Sequence, residues 1–296
     1  MKHIGEFAAL ATSLCWSCGS IFFTVASRRV GSNTVNRLRI ALALLFLIIT
    51  HLIIFGQPLP LFATKAQWFW FALSGLIGFA IGDSLLFRSF VLVGPRISML
   101  MMALAPVIGT FIAWIFLKEI LTPFKLIAII VTLAGICLVI TEPGREGSEG
   151  KRHWAGIWTG LGAAAGQALG LFASKKGLGV GFSPISGNLI RLLSATIAIW
   201  IVAAAFGRIP DTVRKTRDRR AMVGVLGGAI LGPFLGVGFS LVAIQHAYLG
   251  VASTLMALPP VFLIPLSRWF FKEKITLRAV IGTLIALGGV GMLFLF

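Results

Sequence analysis

Two copies of one pattern decide the fold, and the second copy is Met256 to Phe296, MALPPVFLIPLSRWFFKEKITLRAVIGTLIALGGVGMLFLF. The first copy is Met102 to Ile140, MALAPVIGTFIAWIFLKEILTPFKLIAIIVTLAGICLVI. An offset of 154 aligns identical residues, which in the first copy are Met102, Ala103, Leu104, Pro106, Val107, Phe116, Lys118, Glu119, Thr122 and Gly135. Each copy has two long apolar runs joined by a short Lys-Glu turn. This pattern indicates an internal duplication.

The composition places the whole chain in a membrane. Of its 296 residues, 58% are hydrophobic and 12% are charged, and the mean hydropathy is +0.98. A soluble domain of this length needs far more polar surface. The net charge is +17, and the basic residues lie between the apolar runs rather than on one amphipathic face. We therefore interpret the basic residues as topology signals and lipid headgroup contacts, and not as a nucleic-acid surface.

Ten apolar runs approach the roughly 20 residues that cross a bilayer. Backbone polar groups must be satisfied within the segment in lipid, so each run is predicted to be a helix. We call them spans 1 to 10, and they lie near residues 7–26, 38–55, 68–92, 97–117, 124–140, 154–174, 185–206, 221–248, 251–271 and 277–296.

Sparser matches extend the duplication to the remaining spans. Gly5, Leu10 and Gly19 in span 1 match Gly156, Leu161 and Gly170 in span 6, so span 1 is predicted to be retained rather than removed as a signal peptide. Asn36 and Arg39, at the predicted start of span 2, match Asn188 and Arg191 at the predicted start of span 7. An offset of 156 pairs Gly82 with Gly238, and it places Phe239 opposite Asp83.

The number of spans in each copy fixes the symmetry. Two sequential copies with five spans each enter the membrane from opposite sides, which makes them an inverted repeat. The sequence thus predicts an all-α membrane protein with ten transmembrane helices in two inverted five-helix repeats. The first repeat is 1–141, a polar linker is 142–153, and the second repeat is 154–296.

Polar side chains deep in an apolar span are costly and point to function. Asp83 lies roughly 14 Å along its helix from Leu92, too far for its short side chain to reach water. It is interpreted either as a cavity or proton-coupling group or as a contact to another helix. Arg88 lies near enough to Leu92 to extend to the interface, so it is either a headgroup contact or a substrate contact.

Four neutral or basic residues complete the candidate binding set. Arg39 and Arg191 are interpreted either as headgroup anchors or as anion contacts at a cavity rim, because they occur at matching places in both copies. Gln167 in span 6 and Ser240 in span 8 either orient a substrate or bond to a neighbouring helix.

Prolines and glycines mark irregular or closely packed helices. Pro106 in span 4 and Pro259, Pro260 and Pro265 in span 9 remove backbone donors, so we expect both helices to be interrupted at matching places, where free carbonyls line a site near the bilayer midplane. Small residues at spacings of four form ridges, which either pack tightly or let helices slide. The ridges are Ser74, Gly78 and Gly82; Gly162, Gly166, Gly170 and Ser174; and Gly224, Gly228, Gly232, Gly236 and Ser240.

Nothing in the sequence predicts catalysis, a metal or a cofactor. There is no nucleophile elbow, phosphate loop or HExxH motif. Cys15 and Cys18 have the spacing of a metal or redox pair, but they lie in an apolar run without a second pair and are interpreted as packed thiols.

These motifs together resemble the drug/metabolite transporter superfamily, specifically its EamA-like family. The similarity is carried by Ala-x-x-Pro, the apolar run and the Lys-Glu turn in both copies, and by the stretch from Gly82 to Arg88. The resemblance implies two EamA domains forming a basket of ten helices with a central cavity, in the plasma (inner) membrane. It also implies gradient-driven export or exchange of a small metabolite such as an amino acid.

The function we expect is therefore a secondary transporter of a small polar metabolite, acting as a monomer or homodimer with possible proton or ion coupling. The alternatives are a multidrug or cation efflux carrier, which predicts a deep glutamate in span 1, and a non-transporting membrane protein or enzyme. Counting Lys and Arg on each face places both termini outside by the positive-inside rule, whereas family members usually keep them in the cytoplasm. Orientation, substrate and coupling ion stay open at this point.

Overall fold

The computed structural model describes residues 3–117, 120, 122–141, 147–178, 182–246, 251 and 255–295. Every regular element in these ranges is a helix. The helices are α1 Ile4–Val30, α2 Ser32–Phe55, α3 Lys65–Gly75, π1 Leu76–Gly82, α4 Asp83–Met102, α5 Leu104–Leu117, α6 Pro123–Ile140, α7 Gly147–Leu178, α8 Pro184–Ala205, α9 Ile209–Lys215, α10 Arg219–Ala229, π2 Ile230–Gly236, α11 Val237–His246, α12 Pro259–Phe271 and α13 Leu277–Leu295. The helix α4 bends at Gly94, which has a φ of 83°.

Several of these helices have the length and apolar character of membrane spans. Five qualify fully, namely Ile4–Val30, Ser32–Phe55, Lys65–Met102, Pro123–Ile140 and Pro184–Ala205, and two shorter apolar helices are Leu104–Phe116 and Leu277–Leu293. The all-helical architecture is confirmed over the described ranges, and the count of ten spans stays a prediction. The helix α7 begins at Gly147, inside the segment predicted as a linker. Lys118 and Glu119 of the first Lys-Glu turn lie outside the described residues.

Helix starts repeat between the two copies. Thr64 and Thr122 in the first copy, and Asp218 and Thr276 in the second, occupy positions separated by 154. Each side-chain oxygen accepts the backbone N–H three residues further on, at 3.3 Å for Thr64 and Thr122 and at 3.1 Å for Asp218 and Thr276. These side chains satisfy donors that a helix start otherwise leaves free.

The two π-helical segments, π1 and π2, also lie 154 residues apart. Glycine ends both. A β-carbon on Gly82 would lie 3.2 Å from Ile77 O, and one on Gly236 would lie 3.0 Å from Leu231 O, so the wider π turn leaves little space there. This register differs from the offset of 156 inferred for these spans. It places Val237, rather than Phe239, opposite Asp83.

The helices α6 and α13 are equivalent in the two copies, and they pack against each other in opposite directions. At one end, Arg278 Nε donates to Leu138 O at 2.9 Å. Towards the other end, a β-carbon on Gly289 would contact Thr132 and Ala128 O. As residue numbers rise along α13 they fall along α6, so the two helices are antiparallel. Inverted repeats require this relation.

Close packing of the small-residue ridges joins the copies at two further places. Span 3 packs on span 6, where a β-carbon on Gly166 would lie 2.9 Å from Gly82 Cα. Span 8 packs on span 1, where a β-carbon on Gly19 would lie 3.4 Å from Gly232 N. The two interfaces correspond under the repeat, because span 1 is equivalent to span 6 and span 3 to span 8. The ridges therefore form tight helix contacts.

The helical conformation is interrupted at Ala103 and Ala257, two positions separated by 154. The prolines begin the helices that follow: Pro106 lies in the first turn of α5, and Pro259 opens α12. Because Pro259 has no N–H, the Leu255 carbonyl loses its partner four residues on. The Ser13 hydroxyl of α1 donates to that carbonyl at 2.5 Å. The interruption in span 9 is thus bonded to span 1.

Candidate functional site

Arg39 and Arg191 lie well inside their helices. Each is the eighth residue of its helix, because α2 begins at Ser32 and α8 begins at Pro184. The expectation that they open their helices is therefore wrong: α2 begins at Ser32, well before its apolar run, and Arg191 lies inside the run 185–206 rather than at its start. Arg39 is only 8% exposed. Its position is typical of an internal charge rather than of a headgroup anchor.

Asp83, at the start of α4, forms an ion pair with Arg39 of α2. The Arg39 Nη2 group donates to Asp83 Oδ2, and the two side chains are 9% and 13% exposed. Arg191 of α8 lies against the π1 segment that precedes Asp83, because a β-carbon on Gly78 would lie 3.5 Å from Arg191 Nη2. We call Arg39, Asp83 and Arg191 the charged cluster. Its members come from both repeats.

The π1 segment explains how Asp83 is held. The Asp83 N–H donates to Gly78 O, five residues back, instead of to Phe79 O. The free Phe79 carbonyl accepts the side-chain amide of Asn36 at 3.3 Å. The same amide donates to Ser84 Oγ at 3.0 Å. Single π turns often occur at functional sites, and here Asn36 joins this one to the helix that carries Arg39.

Aromatic rings cover the Arg39 guanidinium. Its Cζ lies 5.6 Å from the ring centroid of Phe23 and 5.1 Å from that of Phe87. The two rings contact each other, with centroids 5.0 Å apart. Arg39 Nη2 lies 3.3 Å from Asn36 Oδ1 as well. The π faces and the amide thus help to stabilise a cation away from bulk water.

Arg191 has a different environment. Its Cζ lies 4.4 Å from the ring centroid of Phe79. In the part of the chain that the structure describes, its Nε and Nη2 atoms are buried without a hydrogen-bond partner. A β-carbon on Gly78 would lie 3.5 Å from Arg191 Nη2 and 3.9 Å from Gln167 Oε1, so the guanidinium and the amide face the same glycine. The cluster therefore brings Gln167 close to Arg191.

Glycine allows the helices to approach at this point. A β-carbon on Gly75 of α3 would clash with the Arg191 carbonyl, and the Ser194 hydroxyl of α8 donates to Ala72 O at 3.2 Å. The helix with Asp83 and the helix with Arg191 are therefore in backbone contact.

The two other predicted contacts lie elsewhere. Arg88 is exposed on α4. The Ser240 hydroxyl donates to Val237 O of its own helix at 2.7 Å. Ser240 is also 12 residues, or roughly 18 Å, along span 8 from Gly228, which packs on the Phe23 ring beside Arg39. The structure does not bring Arg88 or Ser240 to the charged cluster.

Known proteins identify the family. The sequence matches the EamA-like transporter family over residues 3–141 and again over 154–295. The chain belongs to this family. The family match confirms the two repeats and the resemblance inferred from the Lys-Glu motif. No curated protein matches this EamA-like chain.

Solved structures support the fold of this EamA-like protein. Twenty-four chains of solved structures match it. One, whose title reads only "Crystal structure of protein", is 15% identical with a TM-score of 0.65. The match covers 99% of this chain and 96% of that one. At this identity the likeness shows the fold alone.

Two ion pairs outside the cluster also join the repeats of this EamA-like protein. Arg96 Nε lies 3.5 Å from Glu273 Oε2, and Arg29 Nε donates to Asp218 Oδ2 at 2.9 Å. The Ala221 N–H and the Arg29 guanidinium lower the pKa of Asp218, because both stabilise its charged form. These pairs link the 1–2 turn to the 7–8 segment and the 3–4 turn to the 9–10 turn.

In the ranges listed above, no three His, Cys, Asp or Glu side chains are grouped so that they could hold a metal ion.

Sequence reasoning missed part of the site. Asn36 was matched with Asn188 but was not assigned a role, although the shared Asn-x-x-Arg pattern was available as a signal. The rings of Phe23, Phe79 and Phe87 gave no signal, because phenylalanine is frequent throughout apolar spans.

Proposed function

We propose that this EamA-like protein is a secondary transporter that moves a small polar metabolite across the plasma membrane by alternating access. Family membership supports transport of a drug or metabolite. The proposal adds ten spans in two inverted repeats, which the antiparallel packing of α6 against α13 supports. The protein acts as a monomer or homodimer.

The charged cluster is the observation that carries the proposal. Arg39 and Asp83 come from the first repeat, and Arg191 comes from the second. A rotation of one repeat against the other changes the distance between Arg191 and Asp83. A solute bound there is then coupled to the movement that exposes it on either side.

In this proposal the cluster residues have separate roles. Arg191 attracts a negatively charged group, Gln167 orients the solute, and Arg39 holds Asp83 and adds to the positive charge of the site. Asp83 competes with the solute for Arg191. Protonation of Asp83 weakens its attraction for Arg191 and couples transport to a proton gradient. Arg88 and Ser240 are left out of this site.

The outer ion pairs have a role in the same cycle. Arg96 with Glu273 and Arg29 with Asp218 tie the repeats together at turns that follow odd-numbered spans. All four of these turns lie on one face of the membrane if the ten spans alternate in direction. Opening on that face breaks the two pairs, and closing remakes them.

The cation-carrier alternative is less favoured by this geometry. Its deep glutamate would have to be Glu6, which lies in the first turn of α1, 3.6 Å from His3 Nδ1. The charged cluster carries two arginines and one aspartate, so it repels a cationic drug. A structural subunit would leave the cluster inaccessible, and an enzyme would require a catalytic group beside it.

Reconstitution into liposomes tests the transport function. Vesicles loaded with unlabelled cell metabolites are placed in an isotopically labelled metabolite extract, and the labelled solutes that enter by counterflow are identified. We expect the native protein to accumulate at least one solute. Asp83→Asn removes the competing charge, so the pH dependence of the uptake is expected to disappear.

The control for this experiment is Asp211→Asn. Asp211 also forms ion pairs with basic residues, with Arg214 at 2.9 Å and Lys215 at 2.8 Å, but it lies in the loop helix α9. The control should keep both uptake and its pH dependence. Absence of protein-dependent counterflow for every solute in the extract contradicts the transport function. Unchanged pH dependence in Asp83→Asn removes the coupling role alone.

A further inference from the structure

We infer that the solute is a small monocarboxylate without an amino group, and that its carboxylate binds the free edge of Arg191. This inference rests on the proposed transport function and specifies the solute for the same site. It differs from the amino acid that the sequence suggested. Four observations lead to it: the charge of the cluster, the free atoms of Arg191, the surface around them, and the pairing of Asp83.

The charge of the cluster sets the charge of the solute. Arg39 and Arg191 contribute two positive charges and Asp83 one negative charge, which leaves one positive charge. A buried charge in a membrane protein costs several kcal/mol unless it is paired. One negative charge on the solute gives an electrically neutral site. A dianion gives the site a net negative charge, and a cation increases its positive charge.

The free atoms of Arg191 set the chemical group. Among the residues that the structure describes, Nε and Nη2 have no partner, and they lie on one edge of the guanidinium. A planar carboxylate accepts two parallel N–H bonds from such an edge. The two oxygens of a carboxylate therefore match the two orphaned donors in number and geometry.

The surroundings of Arg191 limit the size and orientation of the group. The Phe79 ring covers one face of the guanidinium at 4.4 Å, which leaves the edge rather than that face for a ligand. Gly78 removes a side chain from this edge, and Gln167 lies beside it. The Gln167 amide can accept a hydrogen bond from a hydroxyl next to the carboxylate, or donate one to it. This favours a hydroxy acid.

The pairing of Asp83 argues against an amino acid. An ammonium group is a cation with three N–H donors, and a carboxylate is the acceptor that also neutralises its charge. Asp83 is held by the Arg39 guanidinium, which donates to its Oδ2. A zwitterion would have to displace Arg39 and leave that arginine buried without its partner. A monocarboxylate leaves the Arg39–Asp83 pair intact.

Thermal stability of the purified full-length protein in detergent tests this inference, since a ligand raises the melting temperature of the state that it binds. Lactate and gluconate serve as monocarboxylates. Glycerol is the neutral probe, alanine the zwitterion, succinate the dianion and chloride the inorganic anion. We expect lactate or gluconate to raise the melting temperature, and the other four probes to have no comparable effect.

Two variants locate the binding site. Arg191→Gln should weaken the binding of the monocarboxylate by about 10- to 100-fold, because it removes hydrogen bonds to a charged group. Arg191→Lys keeps the charge but not the two parallel donors, so it should recover only part of the affinity. Arg217→Gln, in the exposed basic segment between α9 and α10, removes an arginine outside the site and should bind as the native protein does.

Counterflow separates failure of this inference from failure of the transport function. If alanine, succinate or glycerol moves in exchange with itself while lactate and gluconate do not, the protein is a transporter and the inference is wrong. Equal stabilisation by chloride, equal binding of the monocarboxylate to Arg191→Gln, or no stabilisation by either monocarboxylate also overturns it. Absence of all protein-dependent counterflow overturns the transport function itself.

Discussion

The two repeats share a backbone but not a charge distribution. Span 3 and span 8 have helix starts, π segments and terminal glycines at positions 154 apart. In span 3 the residue after the π segment is Asp83, and in span 8 it is Val237. The symmetric backbone lets either repeat tilt against the other, while the single acid gives the site its chemistry. Movement and recognition therefore depend on different parts of the duplicated sequence.

The two arginines show the same contrast. Arg39 and Arg191 occupy the eighth position of equivalent helices, and each packs on phenylalanine. Arg39 has Asp83 as an ion-pair partner and only its Nε is buried without a hydrogen bond, whereas both Nε and Nη2 of Arg191 are buried without one. We interpret the paired arginine as structural and the free one as available to a solute.

The largest expected effect is a difference in the free energy of unfolding between variants that lack one arginine or the other. Arg39→Gln removes the ion-pair partner of Asp83, and loss of one member of a buried pair costs about 3–5 kcal/mol. Arg191→Gln removes an unpaired cation, so the free energy of unfolding should stay the same or rise. Denaturant unfolding in detergent micelles, followed by helix content, measures both. A similar loss in the two variants contradicts the distinction.

Adding a methyl group to the span 3–span 6 interface should have the next largest effect. Gly166→Ala forces a β-carbon to within 2.9 Å of Gly82 Cα, and overpacking costs about 1–3 kcal/mol. The matched control is Gly109→Ala, where a β-carbon meets no atom within 4 Å and alanine favours the helix. The melting temperatures of the two variants should therefore change in opposite directions. Tolerance of Gly166→Ala would show that this interface is looser than its geometry indicates.

The ion pair between Arg96 and Glu273 gives a test of asymmetry with a smaller expected effect. Both copies contain the Lys-Glu turn, but the Arg96 partner of Glu273 has no basic equivalent, because Gly250 and Ala252 stand at the offsets of 154 and 156. Glu273→Gln removes the charged partner of Arg96, whose side chain is only 4% exposed, while that of Glu273 is 24% exposed. Because the closed state loses this pair, a cysteine at Ser84 should become more accessible from that face. No change on either face would remove the pair from the transport cycle.

The helix starts provide the smallest expected effect. Thr64→Ala in span 3 should cost about 1 kcal/mol through loss of its N-cap. Its equivalent, Asp218, has a pKa lowered by the Ala221 N–H and by Arg29. The folded protein therefore binds this proton less readily than the unfolded chain does. The stabilisation by Asp218 is present above about pH 4 and is lost as the pH falls through its lowered pKa.

Melting temperatures at neutral and acidic pH measure this difference. Asp218→Asn should be less stable than the native protein at neutral pH, and the gap should close in acid. The loss in Thr64→Ala should not depend on pH. A gap that persists for Asp218→Asn in acid would show that the charge of Asp218 does not stabilise span 8.

Sequence reasoning reached the repeats, the helical class and the family. Those features depend on hydrophobic runs and on identities between the copies, which are visible in one dimension. It misplaced Arg39 because α2 begins in the polar stretch at Ser32, and apolar composition does not mark that start. It left Asp83 without a partner because a π turn redirects a side chain without a sequence signal. It placed Arg88 and Ser240 near a solute because depth along a helix does not reveal which face they occupy.

The central claim is that the charged cluster is wetted from each side of the membrane in turn. The most direct measurement is labelling of Ser84→Cys, which lies one residue from Asp83, in a background without Cys15, Cys18 and Cys137. A membrane-impermeant thiol reagent is applied from either side of oriented vesicles, with Ser89→Cys, which is buried against Ser98 and Gly156, as the control. We predict that Ser84→Cys reacts from both sides and that Ser89→Cys does not. Labelling of the Ser84→Cys variant from neither side, or from one side alone, would contradict alternating access.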